Sequence, residues 1–258
     1  MRKLLRVLER PLKKGTTIES YEIVKLLGMG GFGITYLGKV KNSKNDVVIK
    51  QIRKYSLGSK KGIKSFQVEK DILSSISHPY IPRFIDERTW NGYQFLIMEY
   101  ISGKTFEEEI FIYNKKFTEK QSFQYVLKLL DIVKYLHDRN IVHRDLRIPN
   151  IILKENDIYV IDFGLARYAK KENKQIKLSH QEKGLMRDIT FQSDFFAIGH
   201  FVLFLLYSSF EPKTNKEKSW EEELQISSSA KRIIRRLLLF ETPYENAEEI
   251  IQDVKKIV

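Results

Sequence analysis

His143-Arg144-Asp145-Leu146-Arg147-Ile148-Pro149-Asn150, with Asp162-Phe163-Gly164 shortly after it, is the stretch that decides how this chain is read. Between Asn150 and Asp162 lie two short apolar runs, Ile151–Lys154 and Ile158–Ile161, around an Asn-Asp pair that favours a tight reversal. Paired as a hairpin, the runs return Asp162 to the side of Asn150. A carboxylate and an amide oxygen suit Mg²⁺, which takes hard oxygen donors and keeps several waters. Asp145 is then left as a carboxylate able to accept a hydroxyl proton. Each residue alone reads as an ordinary turn or cap residue. The ordered set asks for a chemical explanation.

Working outward towards the N-terminus, Tyr21–Leu27 has the composition of a strand and runs into Gly28-Met29-Gly30-Gly31-Phe32-Gly33. Glycines let backbone N–H groups approach phosphates without a Cβ in the way. The glycines lead into a hairpin pattern, Tyr36–Val40 and Asp46–Ile52 around Asn-Ser-Lys-Asn, not the helix a dinucleotide fold needs. A Walker phosphate loop would require Gly-Lys-Ser/Thr, which is absent. Lys50 closes the run Val47-Val48-Ile49, and a lysine there needs a partner or a route to water. Glu69 is a candidate partner, on a helix expected over Ser65–Ser75. Strands are expected at Phe84–Arg88 and Tyr93–Met98, joined at Asn91-Gly92.

Beyond Ser102-Gly103 the pattern turns helical. Thr118–Arg139 carries Phe123, Val126, Leu127, Leu130, Val133 and Leu136 on one stripe, and Ala230–Phe240 and Ala247–Ile257 are also amphipathic. Phe195–Tyr207 is the longest apolar run, broken only by Gly199 and His200. It is shorter than the roughly 20 residues a membrane helix needs, so a buried helix is expected.

In order and spacing these motifs resemble the eukaryotic-like protein kinases, and more narrowly the small stand-alone serine/threonine kinase-like proteins of bacteria. The resemblance spans residues 20–258. It implies an α+β, bilobal fold: a basic extension over 1–19, a β-rich N-lobe over 20–101 and a mainly helical C-lobe over 102–258. It implies ATP as substrate and Mg²⁺ (or Mn²⁺) as cofactor. The loop Gly28, Met29, Gly30, Gly31, Phe32 and Gly33 would cover the ATP phosphates. Lys50 would contact the α- and β-phosphates and be held by Glu69. Thr35, Val48 and Ile152 would sandwich adenine, Met98 would guard the back of its pocket, and Glu99 and Ile101 would offer backbone groups. Asp145 would accept the substrate proton, Arg147 would touch the γ-phosphate, and Asn150 and Asp162 would hold the metal. Leu73, Phe84, His143 and Phe163 would form the hydrophobic ladder of an assembled kinase, with Asp194 at the start of the central helix.

The pattern departs from the family between Gly164 and Asp194. No Ala-Pro-Glu is present, and Pro243 is followed by Tyr244-Glu245-Asn246 without the family's arginine. Both halves of an ion pair are missing together, as expected where a buried charge left alone is costly. The segment is therefore expected to pack differently. Arg144 before Asp145 suggests activation by a phosphorylated loop, with Ser179, Thr190 and Ser193 as candidates. Three functions compete: a protein kinase acting on Ser/Thr, including itself; a kinase-fold phosphotransferase for a non-peptide substrate; and a nucleotide-binding regulatory module without catalysis.

Composition frames these readings. The chain has 258 residues and a formal net charge of +12. Residues 1–64 hold 16 basic and 4 acidic side chains, while residues 65–258 hold 29 of each. The excess belongs to the front quarter, in the clusters Arg2, Lys3, Arg6, Arg10, Lys13, Lys14 and Arg53, Lys54, Lys60, Lys61, Lys64. An anionic activator such as DNA or acidic lipid is one expectation there, beside ordinary solubility charge. The absence of Cys excludes a disulfide scaffold, a thiolate zinc site and a cysteine nucleophile, and fits the cytoplasm. Residues 2–8 suggest a short amphipathic helix without a signal peptide's apolar stretch.

Overall fold

A computed structural model describes residues 9–30, 33–43, 45–53, 60–169, 188–212 and 218–258. The helix expected over residues 2–8, Gly31, Phe32, Lys54, Ser179 and the side chains of Lys60 and Lys61 lie outside that description. The chain divides into two compact units, Met1–Ser102 and Gly103–Val258, at the change of character expected near Tyr100–Gly103.

The first unit is built on a six-stranded antiparallel sheet. Its strands are β1 (Thr17–Ile18), β2 (Tyr21–Met29), β3 (Gly33–Val40), β4 (Asp46–Ile52), β5 (Phe84–Trp90) and β6 (Tyr93–Glu99), in the order β1-β2-β3-β4-β6-β5. One helix, α1 (Lys60–Ser75), accompanies it. The period-2 alternation of β4 turns Val47 and Ile49 into a core with Ile23, Ile34, Tyr36, Phe95 and Ile97. Gly38 lets β3 lie flat against that core, because a Cβ there would sit 2.3 Å from Ile49 Cδ1. The β5–β6 reversal turns on Asn91 and Gly92, both at positive φ, as an Asn-Gly hairpin requires.

Two features of this unit differ from expectation. Helix α1 begins five residues before Ser65, where Lys60-Lys61-Gly62 carries no apolar period to announce it. The basic extension is also not separate from the sheet. Leu12 N–H donates to the Tyr36 hydroxyl (3.0 Å), which in turn donates to Gln51 Oε1 (2.8 Å), and Thr17–Ile18 pairs with β2. Arg53 is buried, at 5% exposure, so it does not contribute to an exposed basic patch.

The second unit is mainly helical. Short strands β7 (Lys104–Thr105), β8 (Ile141–Val142), β9 (Ile151–Lys154), β10 (Asp157–Val160) and β11 (Arg167–Tyr168) form two small sheets, β10-β9-β7 and β11-β8. Helix α2 (Phe106–Phe111) and helix α3 (Glu119–His137) each start with a capping box, Thr105/Glu108 and Thr118/Gln121. Helix α4 (Phe191–Tyr207) is the apolar run, with Phe195, Phe196, Ile198, Phe201, Val202, Leu205 and Leu206 all buried. Among the described residues no helix is long and apolar enough to cross a membrane. Helices α5 (Trp220–Glu223), α6 (Ser228–Leu237) and α7 (Ala247–Val254) complete the unit. Near Pro243 the described side chains form a local network. Tyr244 is 1% exposed, its hydroxyl donates to Asp253 (3.0 Å), and the Arg236 guanidinium stacks 3.7 Å from its ring while reaching Asp253 and Glu249. Burial, and then the Asp253 carboxylate, push the Tyr244 phenol well above its ordinary range. The network joins α6, α7 and the turn between them.

Candidate functional site

In the first unit, the register of β3 against β4 places Thr35 opposite Lys50 and Leu37 opposite Val48, and β6 sets Met98 opposite Val48. Lys50 closes the buried run at intermediate exposure. Its Nζ lies 2.5 Å from Glu69 Oε1, with the two side chains 13% and 6% exposed. A buried carboxylate is costly unless paired, so this contact places the helix residue that spacing alone left as a candidate. Gly30 N–H donates to Gly33 O at 2.9 Å and closes the glycine turn. Gly33 cannot be replaced without movement, since a Cβ would lie 2.8 Å from Gln51 O. Gly28 and Met29 are the last residues of β2, both exposed. Met98 is buried, Glu99 holds Arg83 N–H through its carboxylate, and Ile101 is buried just past the strand.

In the second unit, Asp194 organises the loop that carries the quoted stretch. It is fully buried at the first turn of α4 and accepts the backbone N–H groups of His143 (2.9 Å) and Arg144 (2.7 Å). His137 Nε2 lies 2.9 Å from the same carboxylate, a partner that no sequence spacing identifies. These bonds hold Arg144 in the left-handed region at φ 66, a conformation that costs roughly 1–3 kcal/mol for a non-glycine residue. His143 packs edge-on against Phe163, ring centroids 4.7 Å apart. Its full burial pushes the imidazole below its ordinary value, so it is neutral.

The expected hairpin forms, with β9 and β10 paired from Asp157↔Lys154 to Val160↔Ile151. The next bond, Ile161 N–H to Asn150 O at 2.9 Å, sets Asp162 beside Asn150. Asn150 donates through Nδ2 to Asp145 O (2.9 Å) and to Asp145 Oδ2 (2.7 Å), which commits its amide nitrogen and turns Oδ1 away. Asp162, at φ 63, is exposed and accepts Gly164 N–H at 3.2 Å. The donor set therefore consists of hard oxygens, an amide and a carboxylate, and it fits Mg²⁺ completed by phosphate oxygens and water. Among the described residues no cluster of three or more His, Cys, Asp or Glu forms a protein-only metal cage.

The sequence did not reveal the closest contact of Asp145. Arg147 grips its carboxylate with two bonds, Nε to Oδ1 at 2.5 Å and Nη2 to Oδ2 at 3.1 Å. The hydrogen bond to Asp145 raises the guanidinium above its already high ordinary value. Ile152 is buried on β9, and Gly103 leaves room for it, since a Cβ there would lie 2.5 Å from Ile152 Cγ2. Among the phosphorylation candidates, Ser193 is 2% exposed and its hydroxyl bonds Thr190 O, which removes it as an accessible acceptor. Thr190 is partly exposed, and Arg144 Nη1 reaches Leu165 O at 3.0 Å.

Comparisons with known proteins give the family. The protein kinase domain family matches residues 21–258. The probable serine/threonine-protein kinase YbdM of Bacillus subtilis is 37% identical over 260 residues, 99% of this chain and 97% of its own length. Myosin light chain kinase A of Dictyostelium discoideum is 35% identical over 151 residues, 57% of this chain and 50% of that protein. Among solved structures, the PknI kinase domain of Mycobacterium tuberculosis is similar with a TM-score of 0.72, at 18% identity, over 96% of this chain and 100% of that one.

Proposed function

The chain belongs to the protein kinase domain family, and on that premise we propose that it transfers the γ-phosphoryl group of ATP to Ser or Thr hydroxyls of proteins, itself included. The carrying observation is the junction of Asp145, Asn150 and Asp162, three oxygen-bearing side chains fixed to one another by the Asn150 amide and the Ile161–Asn150 backbone bond. In this reading Lys50, held by Glu69, contacts the α- and β-phosphates. Gly28, Met29, Gly30, Gly31, Phe32 and Gly33 cover the phosphates, and Thr35, Val48, Met98, Glu99, Ile101 and Ile152 receive adenine. Asn150 and Asp162 hold Mg²⁺, which neutralises charge on the β- and γ-phosphates when bound. Asp145 takes the proton of the acceptor hydroxyl as its oxygen attacks the γ-phosphorus and the bond to the β-phosphate oxygen breaks. Most of the rate comes from positioning and charge neutralisation, so each charged member matters. A cytoplasmic location belongs to the same reading.

A second reading, a non-peptide acceptor, draws on the absence of Ala-Pro-Glu before α4 and of an arginine after Pro243. Labelled ATP with Mg²⁺, offered with generic proteins and with small hydroxyl compounds and followed by phosphoamino-acid identification, separates the two. Phosphoserine or phosphothreonine on protein supports the first reading. Label on small molecules alone sinks it.

A further inference from the structure

Gln51 is a polar side chain on the apolar face of the first unit's sheet, and it is 1% exposed. A buried amide is costly unless bonded. Its Oε1 accepts the Tyr36 hydroxyl at 2.8 Å, and that hydroxyl accepts Leu12 N–H at 3.0 Å. Leu12 also packs on the core cluster that holds Tyr36, so the segment before β1 is seated by a side chain as well as by an N–H. The bonded chain ends where the ladder of β4 runs out. Pairing with β6 stops at Gln51↔Phe95, and pairing with β3 goes one residue further, to Gly33↔Ile52. Lys50 is the neighbour of Gln51, and strand alternation sends its side chain to the opposite face. Gln51 O lies 2.8 Å from the point a Cβ on Gly33 would occupy, and Lys50 Cγ and Cε lie 3.5 Å from that point. Gly33, the stem of Lys50 and the backbone of Gln51 therefore form one packed contact.

We infer that Tyr36 and Gln51 are positioning residues: the chain Leu12–Tyr36–Gln51 anchors the end of β4 from the face opposite Lys50, so that the segment before β1 sets where Lys50 and Gly33 meet the nucleotide's phosphates. The inference rests on the proposed kinase reading and deepens it. A strand end that is losing its ladder can roll about its own axis, and a roll at Gln51 carries Lys50 Nζ sideways. A side chain held at its far end on the opposite face blocks that roll, as a supporting hydrogen bond behind a functional group does. The consequence is specific to one part of the nucleotide. ATP and ADP share the α- and β-phosphates that Lys50 contacts in this reading, whereas adenosine has neither. Breaking the chain should therefore weaken ATP and ADP alike and leave adenosine as it was.

Tyr36→Phe removes the hydroxyl and keeps the ring in the core. Leu12→Pro removes the first N–H and keeps an apolar side chain. Affinities for ADP and adenosine are measured with Mg²⁺ present, on wild type, on each variant and on the two combined, below the onset of each protein's melting transition. Each single variant should weaken ADP about fivefold, the worth of one neutral hydrogen bond, with adenosine within about twofold of wild type. The combined variant should be no weaker than Tyr36→Phe, because the same chain is broken once. Gln51→Met repeats the test from the far end, keeping the length of the side chain without its acceptor, and should give the pattern of Tyr36→Phe. Unchanged ADP affinity in Tyr36→Phe and Gln51→Met overturns the inference. Equal losses for ADP and adenosine overturn it too, because they show a general deformation of the unit. Additive losses in the combined variant remove Leu12 from the chain and overturn the role of its segment. Absence of any ADP binding by wild type would instead refute the ATP reading on which the inference stands.

Discussion

Replacing Asp194 by alanine should unseat the loop that carries the base while leaving the helices of that unit assembled. Three hydrogen bonds end on this buried carboxylate, two from the backbone N–H groups of His143 and Arg144 and one from His137. Hydrogen bonds to a charged group are worth about 1.5–3 kcal/mol each, and each orphaned buried donor costs about 1–3 kcal/mol. These terms overlap, and loss of a buried carboxylate with its bonded donors left behind costs about 3–5 kcal/mol in all. Part of that loss returns as relief of the left-handed Arg144, worth roughly 1–3 kcal/mol. With about 1 kcal/mol of that strain released, the expected net destabilisation is about 2–4 kcal/mol. Asp194→Asn keeps one acceptor but turns an amide N–H₂ towards a donor, so it should recover about half of that. Chemical denaturation followed by a probe in the C-terminal unit gives the magnitude. Amide exchange at His143 and Arg144 gives the location, with protection lost there before it is lost in α3. A loss under about 1 kcal/mol with both amides still protected would refute the assignment of Asp194 as the organiser of the loop.

Other outcomes rest on the same geometry. His143 is neutral and fully buried, so the unit should lose stability as pH falls below the unfolded-state value of 6.5, by up to about 1.4 kcal/mol per pH unit; His143→Leu should flatten that limb in a pH series of denaturation midpoints. Glu69→Gln should reduce phosphate transfer about tenfold or more, because the amide cannot fix the Lys50 ammonium as a carboxylate does; unchanged kcat would count against the pairing as functional. Gly38→Ala drives a Cβ to 2.3 Å from Ile49 Cδ1 and should cost about 1–3 kcal/mol by overpacking, read as a lowered Tm.

How much of this was legible beforehand depended on how local the cause was. The β9–β10 hairpin announces itself, because two apolar runs flank turn residues, and its closure was enough to set Asp162 beside Asn150. The Asn91-Gly92 turn was equally plain, since such a pair tolerates two positive φ values cheaply. The Lys50–Glu69 pairing became visible through the family pattern, because a separation of 19 positions carries no geometric signal. The docking of Leu12 on Tyr36 was not legible, since it depends on a buried hydroxyl 24 positions away. The Arg147 grip on Asp145 was within two residues and still missed. Residues i and i+2 do not face each other in a helix, and here the two side chains meet through the irregular turn that leads into the Ile148–Asn150 3₁₀ turn. The Tyr244–Arg236–Asp253 network needed the packing of α6 against α7, which periodicity does not specify.

The central claim is that Asp145 serves as the base for phosphoryl transfer. The purified chain, incubated with labelled ATP and Mg²⁺ alone and with generic protein substrates, is compared with Asp145→Asn, which preserves size and hydrogen-bonding shape but cannot take the proton. The account predicts phosphoserine or phosphothreonine from the wild type and a rate lower by about 10²-fold or more from the variant. Equal incorporation by the two proteins would contradict it.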